Sequence, residues 1–133
     1  GHLILNQKTG LVHIIDFELA IKRGGIIKGI SKEHASPEQL QMLNYLKDLP
    51  RKVHYEAISS TVRLDGKTDL YSLALILYQI VTKKLWQTEK VLPSKINSHI
   101  SQKLEEIVSG LLEANPAHRI PSAEELKKAL CSI

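Results

Sequence analysis

The sequence predicts a mainly α fold: a helical bundle packed around one buried central helix, with a small β-hairpin at its N-terminal end. Three observations carry that expectation. Residues 67–82 form the most apolar stretch, and between Leu70 and Val81 only Ser72 and Gln79 are strongly polar, so apolar groups point in every direction around a helix. Leu104, Ile107, Val108, Leu111 and Leu112 stand at the i, i+3, i+4, i+7 and i+8 positions of one helical face. At the start, the apolar runs 3–5 and 11–15 flank Asn6-Gln7-Lys8-Thr9-Gly10, a loop with Asn and Gly where a hairpin needs them.

The central helix cannot cross a bilayer, which takes about 20 predominantly apolar residues. It must therefore be buried in protein, and no membrane span is expected. Asp65-Gly66 makes a turn at its entrance, and Thr68 or Asp69 can cap the orphan N–H groups of its first turn.

With 133 residues, 43% of them hydrophobic and 24% charged, the chain suits one globular domain over 1–133 with its own core. Its formal charge of +4 comes from dispersed Lys and Arg accompanied by few aromatic residues, so no nucleic-acid partner is expected. A single cysteine, Cys131, excludes an internal disulfide and suits a reducing cytoplasm. It reads as a small apolar residue of a terminal helix. No basic segment followed by an apolar one opens the chain, so no signal peptide is expected. Because Met42 is the only methionine, the sequence reads as a piece of a longer polypeptide.

The remaining elements follow in order. His13 points to solvent or fills a strand face, since no second ligand stands at a metal-binding spacing. Asp16-Phe17-Glu18 follows the second strand. Residues 19–35, with Gly24, Gly25, Gly29, Lys22, Arg23, Lys28 and Lys32, show no sustained period and are expected to form a mobile loop. Ser36-Pro37-Glu38 opens a short helix, with Pro at its start and Glu38 where the helix dipole favours a carboxylate. Residues 45–67 read as a basic surface excursion interrupted by Pro50, with a short helix at 55–59. Residues 83–97 read as a loop held down by Trp86. Ser101 caps the amphipathic helix and Asn115-Pro116 ends it. Ser122 and Glu125 then make a Ser-x-x-Glu capping box for a last helix with Leu126, Ala129 and Leu130 inward.

Taken singly, Asp16 reads as a turn former, Glu38 as a dipole-favoured surface residue, Asp69 as an N-cap and Arg119 as a solvated charge. Their order points elsewhere. Asp16-Phe17-Glu18 after a hairpin, Ser36-Pro37-Glu38, Asp69-Leu70-Tyr71-Ser72-Leu73-Ala74-Leu75-Ile76-Leu77-Tyr78 on a buried helix, and Asn115-Pro116-Ala117-His118-Arg119 before a capped helix resemble the C-terminal lobe of the protein kinase superfamily, Ser/Thr kinase-like. The family has Asp-Phe-Gly, Ala-Pro-Glu, Asp-x-Tyr-Ser-Leu-Gly-x-x-Leu-Tyr and a late arginine at the matching places, and the resemblance covers nearly the whole chain.

The resemblance implies roles. Asp16 would coordinate the Mg²⁺ that bridges the phosphates of ATP, and Phe17 would pack beneath the site and set its active or inactive arrangement. Glu38 and Arg119 would form a partly buried ion pair, for which the planar guanidinium fork is suited. Asp69 would hold backbone of a neighbouring catalytic loop, while Ile4, Ile76 and Ile80 would stack beneath the adenine ring. The implied activity is transfer of the ATP γ-phosphoryl group to a protein hydroxyl in cytoplasmic signal transduction. The implied partners are the missing N-lobe and a protein substrate or neighbouring signalling domains.

Departures from the family pattern carry the alternative. The Gly-rich loop, the strand lysine and the His-Arg-Asp motif precede the matched region in the family and are absent from this sequence. His2 stands at the position of the asparagine that holds a second Mg²⁺, and Glu18 replaces the glycine after Asp16-Phe17. The region after Trp86 is short and the excursion before Asp69 is long. These features imply a pseudokinase lobe that scaffolds or regulates its neighbours. The phrasing Asn6-x-x-Thr9-Gly10, Ser36-Pro37-Glu38-Gln39 and Arg63-x-Asp65-x-x-x-Asp69-x-Tyr71-Ser72-Leu73 is similar to kinase domains at the head of large bacterial signalling proteins, which carry ATPase, sensor and histidine kinase modules downstream.

Overall fold

The computed structural model describes residues 2–48 and 61–133, and of His2 the backbone only. A hairpin of β1 (His2–Leu5) and β2 (Val12–Ile15) precedes helices α1 (Pro37–Asp48), α2 (Gly66–Thr82), α3 (Trp86–Glu89), α4 (Gln102–Leu111) and α5 (Ala123–Cys131), with short 3-10 turns at Lys32–His34, Pro93–Lys95 and Pro116–His118. The fold is mainly α with one small antiparallel sheet, as the sequence predicts. The expected helix at 55–59 lies outside the described residues.

The hairpin turn is built by its polar residues. The Asn6 carboxamide accepts from the Lys8 and Thr9 N–H groups, and Gly10, at φ +70, takes the left-handed backbone that returns its N–H to the Asn6 carbonyl. The register pairs Leu3 with Ile14 and Leu5 with Val12, so these four aliphatic residues share one face of the ribbon. All four are 49–61% exposed. Among the described residues no helix packs extensively over the hairpin.

Helix α2 starts at Gly66, within the turn expected at its entrance, and its cap is neither Thr68 nor Asp69. Asp65, in extended backbone at φ −144, accepts from the Lys67 N–H at 2.9 Å, and the Thr68 hydroxyl accepts from the Asp65 N–H at 3.3 Å. An extended Asp immediately before the first turn can fold its carboxylate back over the orphan donors; Asp69, already inside the helix, cannot. Leu70, Tyr71, Ala74, Leu75 and Tyr78 of α2 form the main core with Ile107, Val108 and Leu111 of α4, Leu112, and Leu126 of α5.

The expectation of burial on every side of α2 needs correction. Asp69 is exposed, Ile76 half-buried and Ile80 57% exposed, and their 69, 76, 80 spacing places them along one face. The described helices pack against the other sides.

The second correction concerns residues 19–35. They are not a loose loop: Ile21, Ile26, Ile27 and Ile30 pack with Met42, Leu43 and Leu46 of α1 and with Val62 and Leu64. A non-repeating backbone can bury side chains at irregular intervals, so the absence of a period is no evidence of disorder. The Gly24 N–H also donates to the Leu64 carbonyl at 2.8 Å, fastening the segment to the chain that leads into α2.

The 83–97 region is partly ordered as α3, and half-buried Trp86 meets the Tyr78 ring edge-on, centroids 5.3 Å apart. Ser101 caps α4 by accepting from the Leu104 N–H. Ser122 accepts from the Glu125 N–H, but the Glu125 carboxylate pairs with Lys128, so the capping box expected there forms only by half. Among the described residues no helix is long and apolar enough to cross a membrane.

Candidate functional site

The site begins where β2 ends. Asp16 takes a left-handed backbone, φ 65, a conformation that short polar side chains tolerate and that costs energy in most other residues. It is exposed, as are Phe17, at 66%, and Glu18. A turn closed by the Ala20 N–H on the Phe17 carbonyl reverses the chain at this point. Two carboxylates thus stand two residues apart on an open surface. Phe17 belongs to neither buried cluster of the described residues.

Carboxylate oxygens are the donors a small hard cation such as Mg²⁺ prefers, and such a cation usually keeps several waters and takes further ligands from phosphates. Asp16 fits as one such ligand. Among the described residues no group of three His, Cys, Asp or Glu side chains could hold a metal on its own. The backbone of His2 pairs with Ile15 across the ribbon, one residue from Asp16.

Glu38 and Arg119, 81 residues apart, meet at the junction of α1, α2 and the turn before α5. Arg119 is 3% exposed and Glu38 7%. The guanidinium donates through Nη1 to Oε1 at 2.7 Å and through Nη2 to Oε2 at 2.9 Å. Its remaining donors reach the carbonyls of Glu113, Lys67 and Ala114 at 2.8, 3.0 and 3.1 Å. All five N–H groups are therefore satisfied, as a buried guanidinium requires. Its face lies over the Tyr71 ring, 4.7 Å from the centroid.

Burial pushes the Glu38 carboxyl up, but the Arg119 hydrogen bonds, its own backbone N–H, the Arg119 charge and the Thr68 hydroxyl outweigh it. The net effect holds Glu38 below the ordinary glutamate value of 4.5. The junction locks the start of α1 to the start of α2 and thereby anchors the far end of the 16–38 segment.

Asp69 makes no hydrogen bond to any described residue. Partial desolvation, then repulsion from Asp65, raises its carboxyl above the usual aspartate range. It lies at the N-terminal end of the open α2 face, with Ile76 and Ile80 further along. Ile4 is 49% exposed on the hairpin. Asp69, Ile80 and Ile4 are open surface here and Ile76 is half-buried, and the described contacts do not gather them into one site.

Three contacts escaped the reading of the sequence. The Thr68 hydroxyl donates to Glu38 Oε1 at 3.0 Å, tying the α2 cap into the ion pair. The Ser72 hydroxyl donates to the His34 carbonyl at 2.7 Å, and the Gln87 amide donates to the neighbouring Glu33 carbonyl. Together Ser72 and Gln87 hold the 3-10 turn that precedes Ser36-Pro37-Glu38. The signal for Ser72 was present: a lone hydroxyl in an apolar helix needs a partner.

No family model matches the chain. Two curated proteins are similar to it. The serine/threonine-protein kinase PksC of Streptomyces coelicolor is 31% identical over 78 residues, which are 48% of this chain and 14% of that protein. A probable serine/threonine-protein kinase of Clostridium perfringens is 24% identical over 139 residues, covering 90% of this chain and 20% of that one. The chain thus spans a fifth or less of the length of these relatives, and its relationship to them is kinase-like.

Proposed function

We propose that residues 1–133 are the C-terminal lobe of a serine/threonine protein kinase domain, which when complete transfers the γ-phosphoryl group of ATP to a protein hydroxyl in cytoplasmic signalling. The observation that carries this reading is Asp16, an exposed carboxylate on left-handed backbone at the end of a strand, in a chain similar to kinases. A bound Mg²⁺ supplies charge neutralisation on the transferring phosphoryl group. Asp16 would hold one of its positions. The aliphatic hairpin face and Ile4 supply apolar surface for the nucleotide and the missing N-lobe, and the Glu38–Arg119 junction fixes the segment that would carry a protein substrate. Asp69, whose raised carboxyl makes no hydrogen bond to a described residue, would receive backbone N–H groups of the catalytic loop.

The test is made in the complete domain. Asp16→Asn should lower Mg-dependent γ-phosphoryl transfer by at least about a hundredfold, while Asp48→Asn on the far end of α1 leaves it intact. Equal rates in the two variants would remove Asp16 from the site. The chain alone holds half of a two-lobed cleft, so titration calorimetry with Mg-ATP should give no micromolar isotherm; a clear one would refute the two-lobe reading.

Glu18 favours a second reading, a pseudokinase lobe that scaffolds its neighbours. An exposed carboxylate two residues from Asp16 repels phosphate unless it recruits a metal itself, and an imidazole at His2 is a poor ligand for a hard cation. If the complete domain turns over no ATP, and Glu18→Gly with His2→Asn restores turnover, the scaffold reading holds. Robust activity that these replacements leave unchanged or lower excludes it.

A further inference from the structure

The segment between Asp16 and Ser31 is held by packing. Ile21, Ile26, Ile27 and Ile30 enter one cluster with Met42, Leu43, Leu46, Val62 and Leu64; Ile27 is 9% exposed and Met42 fully buried. The backbone is pinned at Gly24 to Leu64, and Arg23 reaches toward Asp65 at 3.8 Å. Gly24 sits at φ +74, and a Cβ on Gly25 would meet the Lys22 carbonyl at 2.8 Å, so the paired glycines let the chain fold tightly between Ile21 and Ile26. The far end is fixed by Ser72 and Gln87 on the His34 and Glu33 carbonyls.

Residues 16–30 contain no Ser, Thr or Tyr. No hydroxyl within the packed stretch can therefore accept a phosphate. The first one, Ser31, lies on the rim, where its hydroxyl already donates to the Glu33 carboxylate at 3.1 Å. A phosphate there would stand beside a like charge. We propose that this segment is a hydrophobically anchored strap, which orders the stretch following Asp16 by docking its isoleucines on α1 and on Val62 and Leu64, with no requirement for phosphorylation. As regulation of phosphoryl transfer, this rests on the kinase reading; as a property of the chain it does not.

The cations Lys22, Arg23 and Lys28 have exposed side chains, so a protease that cuts after them reports on backbone order alone. In the 133-residue chain, trypsin should cut after these three at least about a hundredfold more slowly than in a synthetic peptide of residues 16–35, because cleavage must await local opening. Phosphatase treatment should leave the rates unchanged. Ile27→Ala, checked for retained helix by circular dichroism, should speed all three cleavages by at least about tenfold. Peptide-like rates in the untreated chain, or a phosphatase-induced rise, would overturn the proposal, and neither observation requires the variant to fold. A complete domain that turns over no ATP would refute the kinase reading and leave these rates as they are.

Discussion

Arg119→Met should cost the chain about 3–5 kcal/mol of unfolding free energy, measured by urea denaturation. The loss comes mainly from what is left behind. Glu38 would remain 7% exposed with its charge uncompensated, and the Glu113, Lys67 and Ala114 carbonyls would lose a donor together. Glu38→Gln should be the milder change, since an amide can still accept from Thr68 and Arg119. The double-mutant cycle should show coupling well above the roughly 0.2–1 kcal/mol of an exposed pair. Additive effects would mean that the two side chains stabilise the fold independently. Arg119→Lys should not rescue, because an ammonium has three donors and no planar fork.

The same pair sets a pH dependence with a definite sign. Because the folded state holds Glu38 below its ordinary 4.5, the unfolded chain binds the proton more readily. The pair's contribution is complete above about pH 4.5 and declines as pH falls through the depressed folded value. Glu38→Gln should flatten that acid limb.

How much of this was legible depends on whether the signal was periodic. Helices α2 and α4 announce themselves because their apolar residues recur at helical spacing or fill nearly every position, and the hairpin because Asn6 and Gly10 stand between two apolar runs. Glu38 and Arg119 could be named as partners only through the order of landmarks; neither residue alone carries the pairing. The second core was invisible for a physical reason. Ile27 is buried, and Ile21, Ile26 and Ile30 partly so, by an irregular backbone, so they follow no period, and the glycines among them read as looseness where they in fact permit a tight fold. The Asp65 cap was hidden by two competing acceptors within four residues, Thr68 and Asp69, which only the backbone direction distinguishes. The open α2 face reads as core in the sequence because Ile76 and Ile80 are as apolar as Leu75, and composition does not say which side of a helix has a partner.

Tyr78→Ala should be the other large loss, about 3–5 kcal/mol by analogy with truncation of fully buried aromatics. Tyr78 is fully buried in α2, where it belongs to the main core and makes a T-shaped pair with Trp86. Its hydroxyl donates to the Val91 carbonyl at 3.0 Å, which ties the 83–97 region to the central helix. The three contributions can be separated. Tyr78→Phe removes only the hydroxyl and should cost about 0.5–1.5 kcal/mol, at the low end because Val91 is 39% exposed and water can reach its carbonyl. Trp86→Ala, combined with Tyr78→Ala in a cycle, should show about 0.5–1.5 kcal/mol of coupling from the edge-to-face pair. The remainder is cavity and lost burial among Ala74, Leu75, Val108 and Leu111. If Tyr78→Phe proved as damaging as Tyr78→Ala, the hydrogen bond to Val91 would be the anchor of this region, and the packing argument for α2 as the organising helix would fail.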